Sequence, residues 1–487
     1  MTPTLSPPPS AESLAVRMND FPSGFSPVLV KELRQGMRTH LFVGAFLLLQ
    51  VVMIFSLFLG VSSRHGPDAA NGFFWFFIVA MLLVVQPLRG FNSLSDEYLR
   101  NTMDLIQLTR LDSWRITLGK WTALNAQSLL FLTGVLPYLV MRYFLGNVNF
   151  VVDLVALGMV GLGSALASAI TVGCSAFRFT ILRGLFVLGF AFGFSGLFGF
   201  LQSTLFASGL SGSGTLWQLG LIALSLVYGC FFFLSFGASR IASLSENLAT
   251  RKRVVALGFA LLVLSLGLAG IEEEWVIVVS AIVLGLAAID ALTEPVPIYS
   301  RVLIPFRKNV ITRLAARFFA PGWISGIGFF FLCAALWAVA LHGDDFFFIG
   351  KFTAKFGPRA SNFHPGQVFL FLSMINLLLF PLLLIHLFFR KRVSGNFTLA
   401  LYVFVQCVLL FLTTMIVPLA TTVVRSEAVI YTLVPLPSVL IVAHQSGHVD
   451  EPRYLVVALA TTFFSVVVPL LRQRQACARF RLHLKHP

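Results

Sequence analysis

The 487-residue sequence contains few charged side chains: Asp, Glu, Lys and Arg make up 11% of it, whereas 57% of the residues are hydrophobic. An average soluble domain carries about a quarter of its residues as charged side chains. The composition therefore excludes an ordinary soluble protein. Apolar runs of about 18 residues or more recur along the chain, and each is long enough to cross a bilayer as a helix. We predict an all-α fold, a polytopic bundle of membrane helices.

The sequence also lacks the motifs of common catalytic and nucleotide-binding sites. It contains no G-x-x-x-x-G-K-[ST] phosphate loop, no H-E-x-x-H pair and no G-x-S-x-G elbow. The five cysteines show neither metal-type spacing nor a paired framework. We therefore expect no catalytic, cofactor-binding or metal-binding residue in this chain, and no enzymatic activity of its own.

The hydrophobic runs predict about twelve transmembrane helices. Basic residues concentrate in the loops after even-numbered spans, and the loops after most odd-numbered spans have little charge or are acidic. By the positive-inside rule, both termini should be cytoplasmic. The loop 343–366, with three basic residues, departs from this rule. The predicted spans are 41–61, 72–90, 119–141, 150–174, 181–205, 215–238, 254–271, 275–292, 322–341, 367–389, 397–423 and 453–471.

The net charge of +15 arises mainly from basic residues beside the span ends. That placement indicates contact with anionic membrane lipid, and no nucleic-acid partner is expected. Four regions follow from the pattern. They are a Pro- and Ser-rich disordered lead (1–24), a six-span unit (25–240), a further membrane region of about six spans (241–471) and a basic cytoplasmic tail (472–487).

Two short segments are patterned as amphipathic helices that precede a span. In the first, at 27–39, proline occupies the start and apolar residues oppose basic ones. The second is the stretch NVITRLAARFF, which ends at Phe319 and introduces the ninth predicted span. Such helices lie in the membrane interface. The residues of interest in the first are Pro27, Lys31, Glu32, Arg34 and Arg38.

Between the second and third predicted spans lies a polar but well-patterned segment, residues 91–118. Serines that can cap a helix precede Asp96 and Glu97, where negative charge is favoured by the helix dipole. A short apolar set follows between Arg100 and Arg110, and Asp112 can cap the next helix. A capped amphipathic helix fixed between two spans is a docking element. The alternative is an ordinary cytoplasmic loop that packs on its own bundle.

The segments SPVLVKELRQGMRTH and DEYLRNTMDLIQLTRLDSWRITLGK resemble the permease subunits of ABC-2 type exporters. Such permeases open with N-P-[VIL]-L-x-K-E-[LF]-R before span 1. After span 2 they carry E-x-x-x-G-T-[LM]-[DE]-L-L-x-x-[TS]-P-L and, further on, a Gly-Lys pair that Gly119 and Lys120 match here. Here Asn101 stands in place of the usual Gly and Arg110 in place of the usual Pro. The resemblance covers roughly residues 26–240.

The resemblance implies that segment 91–118 contains the coupling helix that contacts a separate P-loop ATPase subunit. ATP would then bind to that partner, and the permease would be a homodimer or heterodimer in a bacterial cytoplasmic (inner) membrane. Export driven by the partner is the expected function. The residues implied in ATPase coupling are Glu97, Arg100, Thr102, Asp104, Leu105, Leu108, Thr109, Arg110 and Leu111.

Two other functions remain open from the sequence, a twelve-span secondary transporter and a non-transporting scaffold of an ABC-like complex. A secondary transporter needs ionisable residues inside its spans. Only Asp153, Asp290 and Glu294 come close, each near a predicted span end. The neutral residues Asn125, Gln127, Asn376 and Gln406 within spans suit either interhelical hydrogen bonds or substrate contact.

Overall fold

The computed structural model describes residues 27–62, 66–95, 112–145, 149–177, 213–242, 246–268, 273–296, 300–341, 365–389, 395–419 and 452–474, with isolated residues between 180 and 209 and beyond 436. These residues are almost entirely helical, and no strand occurs among them. The predicted all-α class is therefore correct for the described part of the chain.

The described helices are numbered here in chain order. A π-helical turn (Met81–Val85) joins α3 to α4, and a 3-10 helix (Ser300–Arg307) precedes α10. The helices are α1 (Pro27–Met37), α2 (His40–Ser62), α3 (Gly66–Ala80), α4 (Gln86–Leu88), α5 (Ser113–Leu145), α6 (Phe150–Cys174), α7 (Ser213–Ile241), α8 (Leu248–Leu268), α9 (Glu273–Thr293), α10 (Val310–Phe319), α11 (Trp323–Leu341), α12 (Pro365–Phe388), α13 (Gly395–Leu419) and α14 (Pro452–Arg472).

Eight segments of the described residues are long and apolar enough to cross a membrane, or nine if the bent pair α10–α11 forms one span. These are the helices of a membrane protein, and eight of the predicted spans coincide with them. The eight are His40–Gly60, Asn71–Leu88, Ser113–Leu145, Phe150–Cys174, Gly214–Ile241, Trp275–Thr293, Phe371–Phe388 and Phe397–Met415.

The other four predicted spans are not among these eight segments. Most of 181–205 lies outside the described residues. The predicted span 254–271 belongs to α8, which carries the basic triplet 251–253 near its start and is not among the eight. The span 322–341 is α11, and 453–471 corresponds to α14, whose apolar part, Val456–Arg472, is shorter than a full span. The third span starts six residues earlier than predicted, because Ser113 already begins α5.

The chain divides into two compact units. The first contains α1 to α6 and the stretch Gly229–Ala238 of α7. Within it, α5 is the central helix, since α1, α2 and α6 all pack against it. Helix α6 contributes many small buried residues to the interior of this unit. Its Gly173 lies so close to the backbone of Phe233 that a Cβ atom added to Gly173 would lie 2.2 Å from the Phe233 carbonyl oxygen.

The second unit contains the part of α7 up to Tyr228, its last residues from Ser239, and all helices from α8 onward. Its largest contacts join α9 to α11 and α12 to α14. A cluster of buried apolar side chains links α9, α11 and α12; it consists of Ala288, Leu292, Trp323, Ile327, Phe330, Ile375, Leu379 and Leu382.

The chain turns sharply between α10 and α11, whose axes differ by 88°. Gly322 occupies the turn with a φ of 110°, a conformation that side chains with a Cβ atom rarely adopt. Four residues further on, a Cβ atom on Gly326 would lie 2.1 Å from the carbonyl oxygen of Ala291. Glycine therefore permits both the bend and the close approach of α11 to α9.

Candidate functional site

The predicted docking residues comprise the coupling residues and the residues of the interfacial helix α1. All nine coupling residues, from Glu97 to Leu111, lie outside the described residues. The two ends of their segment, 91–95 and 112–118, are described, as is the predicted interfacial helix α1. The candidate site is therefore built from the contacts made at those two ends.

Helix α1 begins at Pro27, as the sequence predicted. Proline suits the first turn of a helix, because the N–H groups there have no helical acceptor and the missing N–H costs nothing. It ends at Met37, two residues before the predicted boundary. Lys31, Arg34 and Arg38 are exposed. Glu32 behaves differently: the side chain is only 25% exposed and faces α5.

The partner of Glu32 is Lys120, near the start of α5. The Lys120 ammonium donates to Glu32 Oε1 at 2.9 Å, and the lysine side chain is only 5% exposed. A buried ammonium is costly unless it is paired. This ion pair therefore fixes α1 against α5, immediately after the polar segment ends.

Arg89, immediately before the polar segment, holds the other end of α1. Its Nη2 donates to the carbonyl oxygen of Gly36 at 2.7 Å and to Thr39 Oγ1 at 3.2 Å. Its Nη1 donates to Gln127 Oε1 on α5 at 2.5 Å, and the guanidinium lies 5.3 Å from the centre of the Phe42 ring. Partial burial lowers the pKa of Arg89 from its ordinary value.

The first residues of the polar segment are seated on the end of α6. The backbone N–H of Leu94 donates to Ser175 Oγ at 3.1 Å, and Ser93 Oγ lies 3.2 Å from the same oxygen. A Cβ atom on Gly90 would lie 2.7 Å from Thr171 Oγ1. The chain thus leaves the membrane helices through a closely packed connection.

Taken together, these contacts attach both ends of the segment to one amphipathic helix. Arg89 binds the end of α1 from the preceding span, and Lys120 binds its middle from the following span. A displacement of Arg89 or Lys120 would therefore strain the contacts that hold α1.

A second ion pair lies at the opposite end of α5. Arg142 Nη1 is 3.4 Å from Asp153 Oδ2 on α6, and Arg142 Nη2 donates to Asn71 Oδ1 at 2.6 Å. Lys120 and Arg142 are 22 positions apart, about 33 Å along a straight helix, close to the thickness of a hydrocarbon core. The two polar contacts therefore mark the two ends of one span.

The second unit contains a buried ionic network. Asp290, in the last turn of α9, lies 3.3 Å from Arg240 Nη2 and 2.5 Å from Lys252 Nζ. Glu294, one turn later, accepts from Arg253 Nη2 at 2.8 Å. All three cations have side chains no more than 5% exposed. The network joins the ends of α7, α8 and α9.

Arg253 also stabilises the bend between α10 and α11. It donates to the carbonyl oxygens of Phe318, Ala320 and Gly322 at distances of 2.6–3.1 Å. Glu294 accepts from the Gly322 N–H at 3.2 Å. Arg253, together with Ser325 Oγ on two of the three oxygens, thus supplies hydrogen-bond donors to the carbonyl groups of the turn.

The neutral polar residues predicted within spans do not all behave alike. Gln127 pairs with Gln86 and Arg89, and Asn376 of α12 donates to Ala458 O of α14 at 2.9 Å, so both make interhelical hydrogen bonds. Asn125 instead bonds Trp121 O within α5. Gln406 Oε1 is buried and has no hydrogen-bond partner among the described residues.

Sequence reasoning identified Glu32 and Lys120 separately but not as a pair, and it gave Arg89 and Arg253 no individual role. Both arginines had been interpreted only as positive charge beside a span. The sequence does contain a signal for the second network: Asp290 and Glu294 lie one helical turn apart at the end of one predicted span, and the basic triplet 251–253 lies just before the preceding span, so both fall at the same membrane boundary. Acidic and basic groups beside one membrane boundary predict ion pairing.

No family model matches the chain, and no curated protein or solved structure matches it. Within the described residues, no group of three or more His, Cys, Asp or Glu side chains is placed to hold a metal ion. Function is therefore inferred from the geometry of this chain and from the resemblance of its two segments to ABC-2 permeases.

Proposed function

We propose that the chain is the membrane-spanning permease subunit of an ABC-type exporter. It would couple ATP hydrolysis by a separate P-loop ATPase subunit to the movement of a cargo molecule. Support comes from the two segments that resemble ABC-2 permeases and from the way the structure connects their described ends.

One observation carries the proposal. Glu32 belongs to the first resembling segment and Lys120 is the last residue of the second, yet the two side chains form a partly buried ion pair at 2.9 Å. Residues 88 positions apart in sequence are thereby joined at one site. An amphipathic helix attached to both ends of a docking segment can pass a displacement to the spans.

The mechanism assigns separate roles to the residues of the coupling segment. Leu105, Leu108 and Leu111 supply apolar area for the ATPase. Charged residues (Glu97, Arg100, Asp104 and Arg110) set its orientation by pairing, and Thr102 and Thr109 complete the resembling motif. Closure of the ATPase would move α5 and α1 together, because packed helices switch between discrete arrangements rather than bending continuously.

The proposed architecture has about twelve spans, with both termini on the cytoplasmic side of a bacterial inner membrane. Two permease chains, identical or different, would form the transporter. The ATPase would bind on the side where Arg89 and Lys120 lie.

The double variant Glu97→Lys with Leu105→Asp tests the assignment. We expect it to insert into the membrane normally but to lose association with the ATPase, measured as co-purification in mild detergent. The matched control, Lys31→Gln, changes an exposed charge on α1 and should retain the ATPase. Normal co-purification of the double variant would show that residues 91–118 are not the coupling segment.

A secondary transporter is the second candidate, and one observation favours it. Arg142 and Asp153 form a buried pair near a span end, and Arg142 Nη1 and Asp153 Oδ2 lack hydrogen-bond partners within the described residues. Ion- or proton-coupled uptake by the purified chain without any ATPase would establish this alternative. A chain that binds an ATPase, but whose complex shows no cargo-stimulated hydrolysis, would instead be a scaffold.

A further inference from the structure

Helix α10 has an apolar face that no other part of the described chain covers. Val310 is 81% exposed and Ile311 is 80% exposed, and Leu314 is 54% exposed. At about 100° per residue these three side chains share one side of the helix. Such an exposed group of large apolar side chains indicates contact with something other than water.

Two arginines border this face. Arg313 and Arg317 lie one helical turn apart, and both are exposed. Lys308, just before the helix, is exposed as well. The sequence of α10, VITRLAARFF, contains no acidic residue that could neutralise them. An apolar strip bordered by cations matches the boundary between acyl chains and phosphate headgroups.

The opposite face of α10 is seated on the protein. Ala316 is fully buried in a cluster with Leu303, Phe306, Ala320 and Phe480. Arg253 holds the end of the helix through the carbonyl oxygens described above. The orientation of the exposed face is therefore fixed by packing on one side and by hydrogen bonds at one end.

The 88° bend sets the direction of α10 relative to α11. Helix α11 is apolar along its 19 residues, long enough to cross a hydrocarbon core, and with α11 across the bilayer the bend lays α10 close to the membrane plane. An in-plane helix at the end of a span reaches the headgroup region of one leaflet. Its arginines can extend to the phosphates while Val310 and Ile311 enter the acyl region.

We propose that α10 is a binding surface for anionic phospholipids. The phosphate groups bind Arg313 and Arg317, and the apolar face inserts beside them. A second copy of this chain or a soluble partner would have to cover both an apolar strip and two cations of the same helix, and α10 itself offers no acidic group for a reciprocal ion pair. The inference does not depend on whether the chain is an exporter.

The test compares the full-length protein in vesicles of phosphatidylcholine with the protein in vesicles that also contain phosphatidylglycerol. Binding of phosphatidylglycerol is measured by native mass spectrometry, and amide hydrogen exchange of residues 310–319 is measured in the same vesicles. Arg313→Gln/Arg317→Gln should weaken binding about fivefold for each arginine removed. It should also abolish the slower exchange of α10 that phosphatidylglycerol causes in the unchanged protein.

Two variants provide the controls. Arg313→Lys/Arg317→Lys keeps both charges and should retain most of the effect. Arg115→Gln removes another exposed arginine, one that lies 3.9 Å from Asp112, and should change nothing. Unchanged exchange in α11 would show that each variant is folded. Equal protection of α10 in both lipids, or protection that depends on protein concentration, would overturn the proposal in favour of a protein partner.

Discussion

Helices α1 and α10 have the same kind of sequence and opposite surroundings. Each is short, amphipathic and followed closely by an apolar helix. Yet α1 packs against α5 through the buried ion pair of Glu32, whereas α10 leaves Ile311 80% exposed. The two helices differ in one residue type, because α1 contains an acidic side chain that can form an ion pair and α10 contains none.

This comparison separates two ways of positioning an amphipathic helix. Helix α1 is held by charged side chains, at its middle by Lys120 of α5 and at its end by Arg89. Helix α10 is held by apolar packing around Ala316 and by the Arg253 hydrogen bonds at its end, and its exposed face stays open. Ionic contacts to two elements can transmit movement between them, whereas an open apolar face presents a surface for binding. Helix α1 thus suits coupling, and α10 suits lipid contact.

The largest effect should come from removing the end attachment of α10. Arg253→Met leaves Glu294 without its closest cation and removes one charged donor from each of three carbonyl oxygens, two of which keep Ser325 Oγ as a donor. Breaking a buried pair in this way costs about 3–5 kcal/mol. Denaturant titration in mild detergent should show this loss in the free energy of unfolding.

Arg313→Met is the matched control for Arg253→Met, because it removes an exposed arginine from α10 itself. Its effect on the free energy of unfolding should stay within about 0.5 kcal/mol. Similar losses in both variants would show that the bend does not depend on the buried arginine.

A smaller effect should follow when the side attachment of α1 is broken, and it should be asymmetric. Glu32→Gln removes the carboxylate that lies 2.9 Å from the buried Lys120 ammonium, whereas Lys120→Met leaves a carboxylate that is 25% exposed and can hydrate. We expect Glu32→Gln to destabilise α1 by about 1–2 kcal/mol and Lys120→Met by less. Amide exchange of residues 27–37 measures both, and a larger effect of Lys120→Met would contradict this account.

The smallest effect should come from Arg89→Gln. This change removes the bonds to Gly36 O, Thr39 Oγ1 and Gln127 Oε1, but Thr39 is exposed to water and Gln127 Oε1 keeps Gln86 Nε2 as a donor. The expected cost is about 1 kcal/mol, confined to the last turn of α1. Exchange should rise there and remain unchanged around Glu32; a rise along the whole helix would mean that Arg89, rather than Lys120, holds α1.

The sequence predicted the apolar helices because each run of about 18 residues carries its own signal. It also predicted both amphipathic helices, including Pro27 as the first residue of α1. The pairing of Glu32 with Lys120 could not be derived, since it joins residues 88 positions apart. The role of Arg253 depends on a turn at Gly322 whose carbonyl directions appear only in three dimensions.

The most direct test of the central claim is affinity isolation of the full-length protein from native membranes. The unchanged chain is compared with one whose residues 91–112 are replaced by a Gly/Ser linker, and co-purified proteins and ATP hydrolysis are measured. The account predicts that a P-loop ATPase accompanies the unchanged chain and is lost with the replacement. Equal recovery of an ATPase with both chains, or none with the unchanged chain in the mildest detergents, would contradict it.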